Sequence, residues 1–228
     1  MWWLLSTILL LTRFCRLKKR RLNNPVFFAA FLVLGLALPA QAQSFRGSVS
    51  AGLVTSQVSG DNLAGFNKPG AFAGISAWRP IREKLRWELQ MAYFEKGSFD
   101  PARPDKGDFL SYRLNLRYVE VPVLISYYYK KIWWFTGLSA GYLFSSRIRN
   151  QDGDYPENSL EARPFRSYEL SYNAGLRFPL GERFELEGRL NQSILPIRPH
   201  VGNVVFRLNL GQYNTALVFA LRYNLGKN

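Results

Sequence analysis

The sequence predicts an all-β fold, an eight-stranded antiparallel up-and-down transmembrane β-barrel with short turns at one end and longer loops at the other. Three observations support this prediction. Polar and apolar residues alternate with a period of two along eight segments, as in strands that have one polar and one apolar face. The connections between these segments alternate in length, and aromatic residues recur ten positions apart along single strands.

The first 42 residues have the pattern of an export signal. A basic run at 16–21 (RLKKRR) precedes an apolar run of 13 residues at 26–38, and Ala40-Gln41-Ala42 follows as a cleavage site. An apolar run of that length is too short to span a bilayer, which takes about 20 residues. We therefore expect residues 1–42 to act as a signal peptide and residues 43–228 to form the barrel domain.

A second apolar stretch, residues 1–15 (MWWLLSTILLLTRFC), lies upstream of the basic run. A signal peptide does not need such a stretch. Its apolar part is about half as long as a spanning helix. This favours an N-terminal extension upstream of the true start of translation, which would lie near Leu17 or Leu22. A short membrane anchor is the alternative.

The first four predicted strands cover 45–56, 70–79, 84–96 and 110–129. The first strand carries Phe45, Val49 and Leu53 on one face. The third strand sets apolar residues such as Trp87 against charged residues such as Glu88. Each of these segments therefore has one face suited to water or charge and one suited to an apolar medium.

The last four predicted strands cover 132–146, 166–178, 183–195 and 213–225. In the segment RFELEGRLNQSIL at 183–195, Glu185 and Glu187 alternate with Phe184 and Leu186. The eighth strand continues the pattern toward its end, where Leu221 precedes Arg222. No segment of residues 43–228 shows a convincing helical period.

Short and long connections alternate along the chain. Tight turns are predicted at 80–83, 130–131 and 181–182, and long loops at 57–69, 97–109, 147–165 and 196–212. The long loops are rich in Gly, Pro, Asp and Asn, which favour turns. This alternation is typical of outer-membrane barrels, whose short turns face the periplasm and whose longer loops face the outside. The predicted location is therefore the outer membrane of a Gram-negative cell.

Aromatic residues predict where the barrel meets the two membrane surfaces. Three pairs are ten residues apart on one strand: Trp134 and Phe144, Tyr168 and Phe178, Tyr213 and Tyr223. Ten residues at about 3.3 Å each, tilted by about 40°, rise about 25 Å, the height of the apolar band between two aromatic girdles. The predicted girdle comprises Tyr128, Trp133, Trp134, Phe144, Tyr168, Phe178, Tyr213 and Tyr223.

The apolar face of each strand is expected to contact lipid, and the charged face to line the lumen. Eight strands leave an interior just wide enough for side chains to fill. The predicted lumen network contains the acids Glu88, Glu120, Glu169, Glu185 and Glu187 and the cations Arg86, Arg113, Arg117, Arg177, Arg189 and Arg222. Guanidinium groups bridge carboxylates bidentately, so we predict a salt-bridged plug. Glu120 breaks the alternation of its strand, and a β-bulge at Tyr118-Val119 would restore it.

Composition excludes several classes of function. The formal net charge is +14, but many arginines alternate with glutamates inside strands instead of forming a patch, which disfavours nucleic-acid binding. The only cysteine, Cys15, lies in the N-terminal segment, so a disulfide framework is not expected in the barrel. His200 is the only histidine, and no zinc site or other cofactor is predicted.

Three patterns resemble enzyme motifs but have simpler explanations. Glu185 and Glu187 could form a carboxylate pair, yet both are flanked by arginine and suit salt bridges better. Ser193 and His200 could belong to a hydrolase triad, but nothing in the sequence brings them together. The GLSAG segment at 137–141 lies within a strand and lacks the strand-turn-helix context of a nucleophile elbow. A non-enzymatic protein is therefore predicted.

Two segments resemble a known family. The segment SQVSGDNLAGFNKPGAFAGI at 56–75 leads from a Gly- and Asp-containing loop into an alternating strand, and YVEVPVLISYYY at 118–129 contains a Y-x-E-x-P-x-L strand. Both resemble the PorT-like, or "porin family", outer-membrane β-barrel proteins, and the similarity extends over most of 45–228. The resemblance implies an eight-stranded outer-membrane barrel. It also raises an association with protein secretion, in which PorT takes part.

The sequence thus predicts a monomeric integral outer-membrane protein with a filled lumen, whose long loops serve a structural, adhesion or assembly role. Its expected partners are outer-membrane lipid and other envelope proteins, not nucleic acid. Three alternatives remain open at this point: a small outer-membrane enzyme that acts on lipid, a passive porin for small solutes, and a soluble periplasmic carrier built as an inside-out barrel.

Overall fold

The computed structural model describes residues 45–61, 63, 65–107, 109–150, 153–154, 164–199 and 211–226. The predicted signal peptide and the extension before it lie outside these residues, as does His200. The described part contains one short 3-10 helix, Pro104–Lys106, and none of its helical segments is long and apolar enough to cross a membrane.

Eight long strands and one two-residue strand form the fold. They are β1 Arg46–Ser59, β2 Lys68–Arg82, β3 Leu85–Asp100, β4 Tyr112–Tyr129, β5 Ile132–Asn150, β6 Gly153–Asp154, β7 Tyr168–Leu180, β8 Phe184–Ser193 and β9 Tyr213–Asn224. The long strands occupy the eight predicted segments. At the loop end β1, β3 and β5 continue three or four residues beyond the predicted bounds, because their backbones remain paired there.

The long strands close into an antiparallel barrel. Each pairs with its neighbours in the chain, β5 pairs with β7 past the short β6, and β1 pairs with both β2 and β9. Val54, for example, lies opposite Gly70 on one side and Val218 on the other. Closure leaves no unpaired edge among these eight strands, which a membrane requires because lipid offers backbone groups no hydrogen bonds. The predicted fold class is confirmed.

Tight turns join the strands at one end of the barrel. Lys130 and Lys131 form the β4–β5 turn with φ angles of 49° and 66°. Positive φ at both central residues matches the right-handed twist of the flanking strands, as in type I′ hairpins. Gly181, with φ 76°, begins the β7–β8 turn. These turns lie where the sequence predicted them, and they define the periplasmic end.

The faces of β4 differ from the prediction. Its buried residues at the loop end are Leu114, Leu116 and Tyr118, followed without interruption by Glu120. Glu120 is therefore in the lumen as predicted, but no bulge lies between Tyr118 and Val119. The bulge is on β5 instead. Arg117 pairs with Ser145 and Tyr118 with Leu143, which leaves Phe144 as the extra residue.

Candidate functional site

The lumen near the tight turns is filled by a continuous chain of alternating charges, which we call the arginine network. Its members, in the order in which they touch, are Arg86, Glu185, Arg222, Glu88, Arg177, Glu187 and Arg189. Each of the three carboxylates lies between two guanidinium groups. All seven side chains are buried, and they come from β3, β7, β8 and β9.

The distances in the arginine network are those of charge-assisted hydrogen bonds. Arg177 donates from Nε to Glu187 at 2.6 Å and from Nη1 to Glu88 at 2.8 Å. Arg222 donates from Nη1 to the other oxygen of Glu88 at 2.6 Å. Arg189 donates from Nε to Glu187 at 2.8 Å. Arg177 and Arg222 each serve two carboxylates at once, which the forked guanidinium of arginine permits.

Aromatic rings cover the guanidinium faces that carry no hydrogen bonds. The Arg86 guanidinium lies 4.0 Å from the ring centre of Trp133 and 4.9 Å from that of Trp78. Arg177 lies 4.4 Å from the ring of Phe135. Such cation–π contacts stabilise a charge that has lost its water. Together the rings and ion pairs fill the periplasmic half of the lumen.

A second charged group, the lysine cluster, lies further toward the loops. Lys96 is fully buried and forms salt bridges with Glu120 and, at 3.1 Å, with Glu169. Its third contact is the side-chain oxygen of Asn191 at 2.6 Å. An ammonium group has three donors and here meets three acceptors, an arrangement that a planar guanidinium does not fit.

Amide and hydroxyl groups complete the lysine cluster. Glu120 accepts hydrogen bonds from Ser139 at 2.8 Å and from Asn191 at 3.1 Å. Glu169 accepts one from Asn214 at 3.0 Å. Because carboxylates in a dry interior need both a counter-charge and hydrogen bonds, these contacts stabilise Glu120 and Glu169 within the barrel.

The two charged groups together are neutral. The arginine network has four cations and three carboxylates, and the lysine cluster has one cation and two carboxylates. These two groups therefore hold five charges of each sign. Charge neutrality lets so many ionised groups be buried without a large net field.

An apolar layer fills the lumen of the loop half. Its buried residues are Val54, Val58, Phe72, Ala92, Phe94, Leu114, Leu116, Tyr118, Ile197, Ala216, Val218 and Ala220. Ile197 does not belong to a strand. It enters the layer from the β8–β9 connection and so brings loop structure into the barrel mouth.

Polar contacts hold the loop segments over this layer. Arg198 donates from Nε to Gln212 at 2.5 Å and covers the ring of Phe165 at 4.4 Å. Gln212 in turn donates to the backbone oxygen of Gly60 at 3.1 Å. Asp61 accepts a hydrogen bond from the backbone of Leu63, and burial raises the pKa of Asp61. Three connections therefore meet at the mouth.

Most residues of the predicted lumen network lie in the lumen. Glu88, Glu169, Arg86, Arg177, Glu185, Glu187, Arg189 and Arg222 are buried and paired as described above. Arg113 and Arg117 are the exceptions, because both are exposed on the outer surface of β4. Lys96 was missed, although its position continues the alternation of Arg86, Glu88 and Gln90 on the same strand.

The predicted aromatic girdle divides into two groups. Trp134, Phe144, Tyr168 and Phe178 are exposed on the outer surface, and Tyr223 is partly exposed beside Phe184. The assignment fails for three others. Tyr128 and Trp133 lie in the inward phase of their strands with ring centres 4.9 Å apart, and Tyr213 is only 2% exposed. Tyr127, Tyr129 and Tyr142 are outward instead.

No cofactor site emerges from the described residues. Among them, no group of three His, Cys, Asp or Glu side chains could hold a metal ion. The Glu185 and Glu187 pair is occupied by arginines. Ser139 of the GLSAG segment donates to Glu120 from the middle of a strand.

A closed eight-stranded barrel with an apolar exterior and a charge-paired lumen defines an integral outer-membrane protein. The chain belongs to the outer membrane protein beta-barrel domain family, whose model matches residues 40–198. The protein is therefore located in the outer membrane of a Gram-negative cell. No curated protein sequence matches the chain significantly.

Solved outer-membrane barrels also align with this chain. Ail, the attachment invasion locus protein of Yersinia pestis, is 14% identical, with a TM-score of 0.44 over 80% of this chain and 99% of that one. Neisserial surface protein A is 13% identical, with a TM-score of 0.44 over 78% and 96%. A major outer membrane protein from Thermus thermophilus is 14% identical, with a TM-score of 0.44 over 80% and 100%.

Proposed function

We propose that this protein is a non-enzymatic outer-membrane barrel with a closed lumen, which acts through its loop end as a structural, adhesion or assembly component. The filled lumen is the observation that carries the proposal. Its periplasmic half holds the arginine network and its loop half holds the apolar layer. The surface left for interaction with other molecules is then the loop end.

Passive transport is not favoured by this lumen. A pore needs a continuous water path, and barrels of 16–18 strands provide one, whereas eight strands leave room mainly for side chains. Here the side chains are large, buried and joined by bonds such as Arg222 to Glu88 at 2.6 Å. Opening a path would separate these buried ion pairs and deprive each charge of its partner, which is unfavourable in a low-dielectric interior.

Enzymatic activity is not favoured, because the lumen carboxylates are buried and paired with cations. A general acid or base must reach the substrate and exchange a proton with it. Glu187, however, is fully buried between Arg177 and Arg189. Ser193, which could form a triad only with His200, donates its hydroxyl hydrogen to the backbone oxygen of Asn214 at 3.0 Å.

The partners in this proposal are other proteins of the envelope. The resemblance of residues 56–75 and 118–129 to PorT-like proteins supports assembly with secretion components as one form of this role. Several long connections lie at one end of the barrel, which supports recognition of other envelope proteins at that end. The protein itself is proposed to be monomeric, because closure of the eight long strands leaves no strand edge of the barrel to pair with a second copy.

Conductance in planar bilayers tests the closed lumen. The refolded protein, residues 43–228, is expected to give no stable porin-like steps, and a general porin measured in parallel supplies the positive control. Liposome swelling with small sugars provides a second readout. Large, stable conductance steps from monodisperse protein would contradict the proposal and indicate passive transport.

Epitope labelling tests whether the loop end is available to partners. A tag inserted between Asp152 and Gly153 should be labelled on intact cells. A matched tag inserted between Lys130 and Lys131, in the periplasmic turn, should be labelled only after permeabilisation. The reverse pattern would place the long loops in the periplasm and remove the basis for an adhesion role.

A further inference from the structure

Four arginines lie together on the outer surface of β4 and β5 at the loop end. Arg113 pairs with Arg149 across the two strands, and Arg147 pairs with Asn115 in the adjacent row. Arg117 follows one row closer to the membrane, opposite Ser145. All four side chains are exposed. We call Arg113, Arg117, Arg147 and Arg149 the outer arginine patch.

The patch begins where the apolar surface ends. The preceding outward row consists of Tyr93, Val119 and Tyr142, and the rings of Tyr93 and Phe144 lie with centres 6.1 Å apart. Below that row the outward residues of the same strands are apolar, such as Val121. Successive outward rows are about 7 Å apart along a strand. The arginines therefore start within one row of the aromatic boundary, at headgroup depth.

Two features of the fold turn these arginines outward. The β4 phase that buries Leu114 and Leu116 requires Arg113 and Arg117 to face outside. On β5 the extra residue Phe144 reverses the phase of the residues that follow it. The bulge therefore places Arg147 and Arg149 beside the arginines of β4, where an unbroken strand would point them into the lumen.

Among the residues that the structure describes, nearby acids neutralise the patch only in part. Arg149 forms a salt bridge with Asp154 at 2.8 Å. Glu95 lies opposite Arg117 but is engaged by Lys68 at 3.7 Å. On the far side of the barrel, outward positions of similar height carry neutral residues: Thr55, Gln57, Gln192 and Thr215. Within the described strands, positive charge is thus concentrated on one side of the outer rim.

We propose that the outer arginine patch binds the phosphate groups of an anionic glycolipid in the outer leaflet. Guanidinium groups bind phosphate oxygens bidentately, and several of them side by side match a headgroup with more than one phosphate. The apolar surface directly below the patch accommodates the acyl chains of the same lipid. The positive charge of the patch complements phosphate, and the apolar surface continues directly below it. Both features point to a lipid headgroup as the occupant.

The test compares two triple variants with the same loss of charge. In the patch variant, Arg113, Arg117 and Arg147 are each replaced by Gln. In the control variant, Arg82, Lys130 and Lys131 at the tight-turn end are each replaced by Gln. Heat-modifiable migration on gels verifies that both variants are folded. Native mass spectrometry then counts lipid bound to each protein during titration with diphosphorylated lipid A in detergent.

The expected result is binding of diphosphorylated lipid A that is at least about tenfold weaker in the patch variant, since three of the four guanidinium groups that attract the anionic headgroup are removed. The control variant should bind like the unmodified protein. Lipid A without phosphate should bind poorly to all three proteins. Inorganic phosphate at equal concentration should not compete, which separates a lipid site from a site for free phosphate. Equal binding by both variants, or binding independent of lipid phosphate, would overturn the proposal.

Discussion

The two halves of the lumen exclude water by different physical means. Near the tight turns, four arginines and three glutamates form an unbroken chain of ion pairs. Near the loops, buried side chains such as Phe94, Leu114 and Leu116 form an apolar layer. The first half depends on matching each charge with a partner, and the second on close packing.

The lysine cluster and Arg189 lie at the junction of these halves. The Arg189 guanidinium belongs to the arginine network, yet it also lies 5.2 Å from the ring of Phe72 and 6.0 Å from that of Phe94. Lys96 lies 5.1 Å from Phe94 and 5.0 Å from Tyr118. Aromatic faces thus connect the charged and the apolar half. The comparison implies that mutations in the two halves will lower the free energy of unfolding for different reasons.

The largest effect is expected for Lys96→Met. Removing the ammonium leaves Glu120 and Glu169 buried without a counter-charge, so the free energy of unfolding should fall by about 5 kcal/mol. Urea unfolding of refolded protein in lipid vesicles measures the change. In the control variant, Lys96→Met is combined with Glu120→Gln and Glu169→Gln. The control should be more stable than Lys96→Met alone, and equal or lower stability would show that charge pairing does not control this site.

A smaller loss is expected for Glu187→Leu in the arginine network. Arg177 keeps Glu88 as a partner, but Arg189 loses the carboxylate with which it forms its salt bridge, which should cost about 3 kcal/mol. The control on the same strand is Leu190→Ala, which faces lipid and should cost less than about 1 kcal/mol. Equal urea midpoints for the two variants would contradict the assignment of the faces of β8.

A loss of about 2–3 kcal/mol is expected for Leu116→Ala in the apolar layer. Leu116 is fully buried, so truncation removes packing contacts and leaves a cavity. Val121→Ala, on the outward face of the same strand, serves as the control and should have little effect. Unlike Lys96→Met, the Leu116 variant should not be rescued by removing charges. If Glu120→Gln restored the stability of the Leu116→Ala variant, packing in the apolar layer and charge pairing in the lumen would be energetically coupled.

The smallest effect is expected for Asp61→Asn at the loop mouth. Burial raises the pKa of Asp61, so the folded state binds a proton more readily than the unfolded state. Stability contributed by this group is therefore present at low pH and is lost as the pH rises through the raised pKa. Asp61→Asn should raise the urea midpoint at pH 7 and leave it unchanged at about pH 3, below the ordinary pKa of aspartate. Asp105→Asn, at an exposed position, is the control and should leave the urea midpoint unchanged at both pH values.

The sequence by itself determined the strand number, the tight turns and the face of most strands. A period of two separates two faces, and a segment such as 183–195 carries charge on only one of them, so the assignment of Glu185, Glu187 and Arg189 follows directly. The outward surface of the membrane-spanning part is apolar because every strand there turns its apolar face toward lipid.

Only the tertiary structure decided the loop half. Above the membrane the outer medium is polar, so the rule that charges point inward no longer holds, and β4 buries Leu114 and Leu116 while exposing Arg113 and Arg117. The reversal of phase at Phe144 depends on pairing with β4, which the β5 sequence alone does not reveal. Lys96 binds Glu169 and Asn191, which lie 73 and 95 residues away in the chain. Barrel closure brings these groups together, because partners across a lumen are set by the register of all the strands between them.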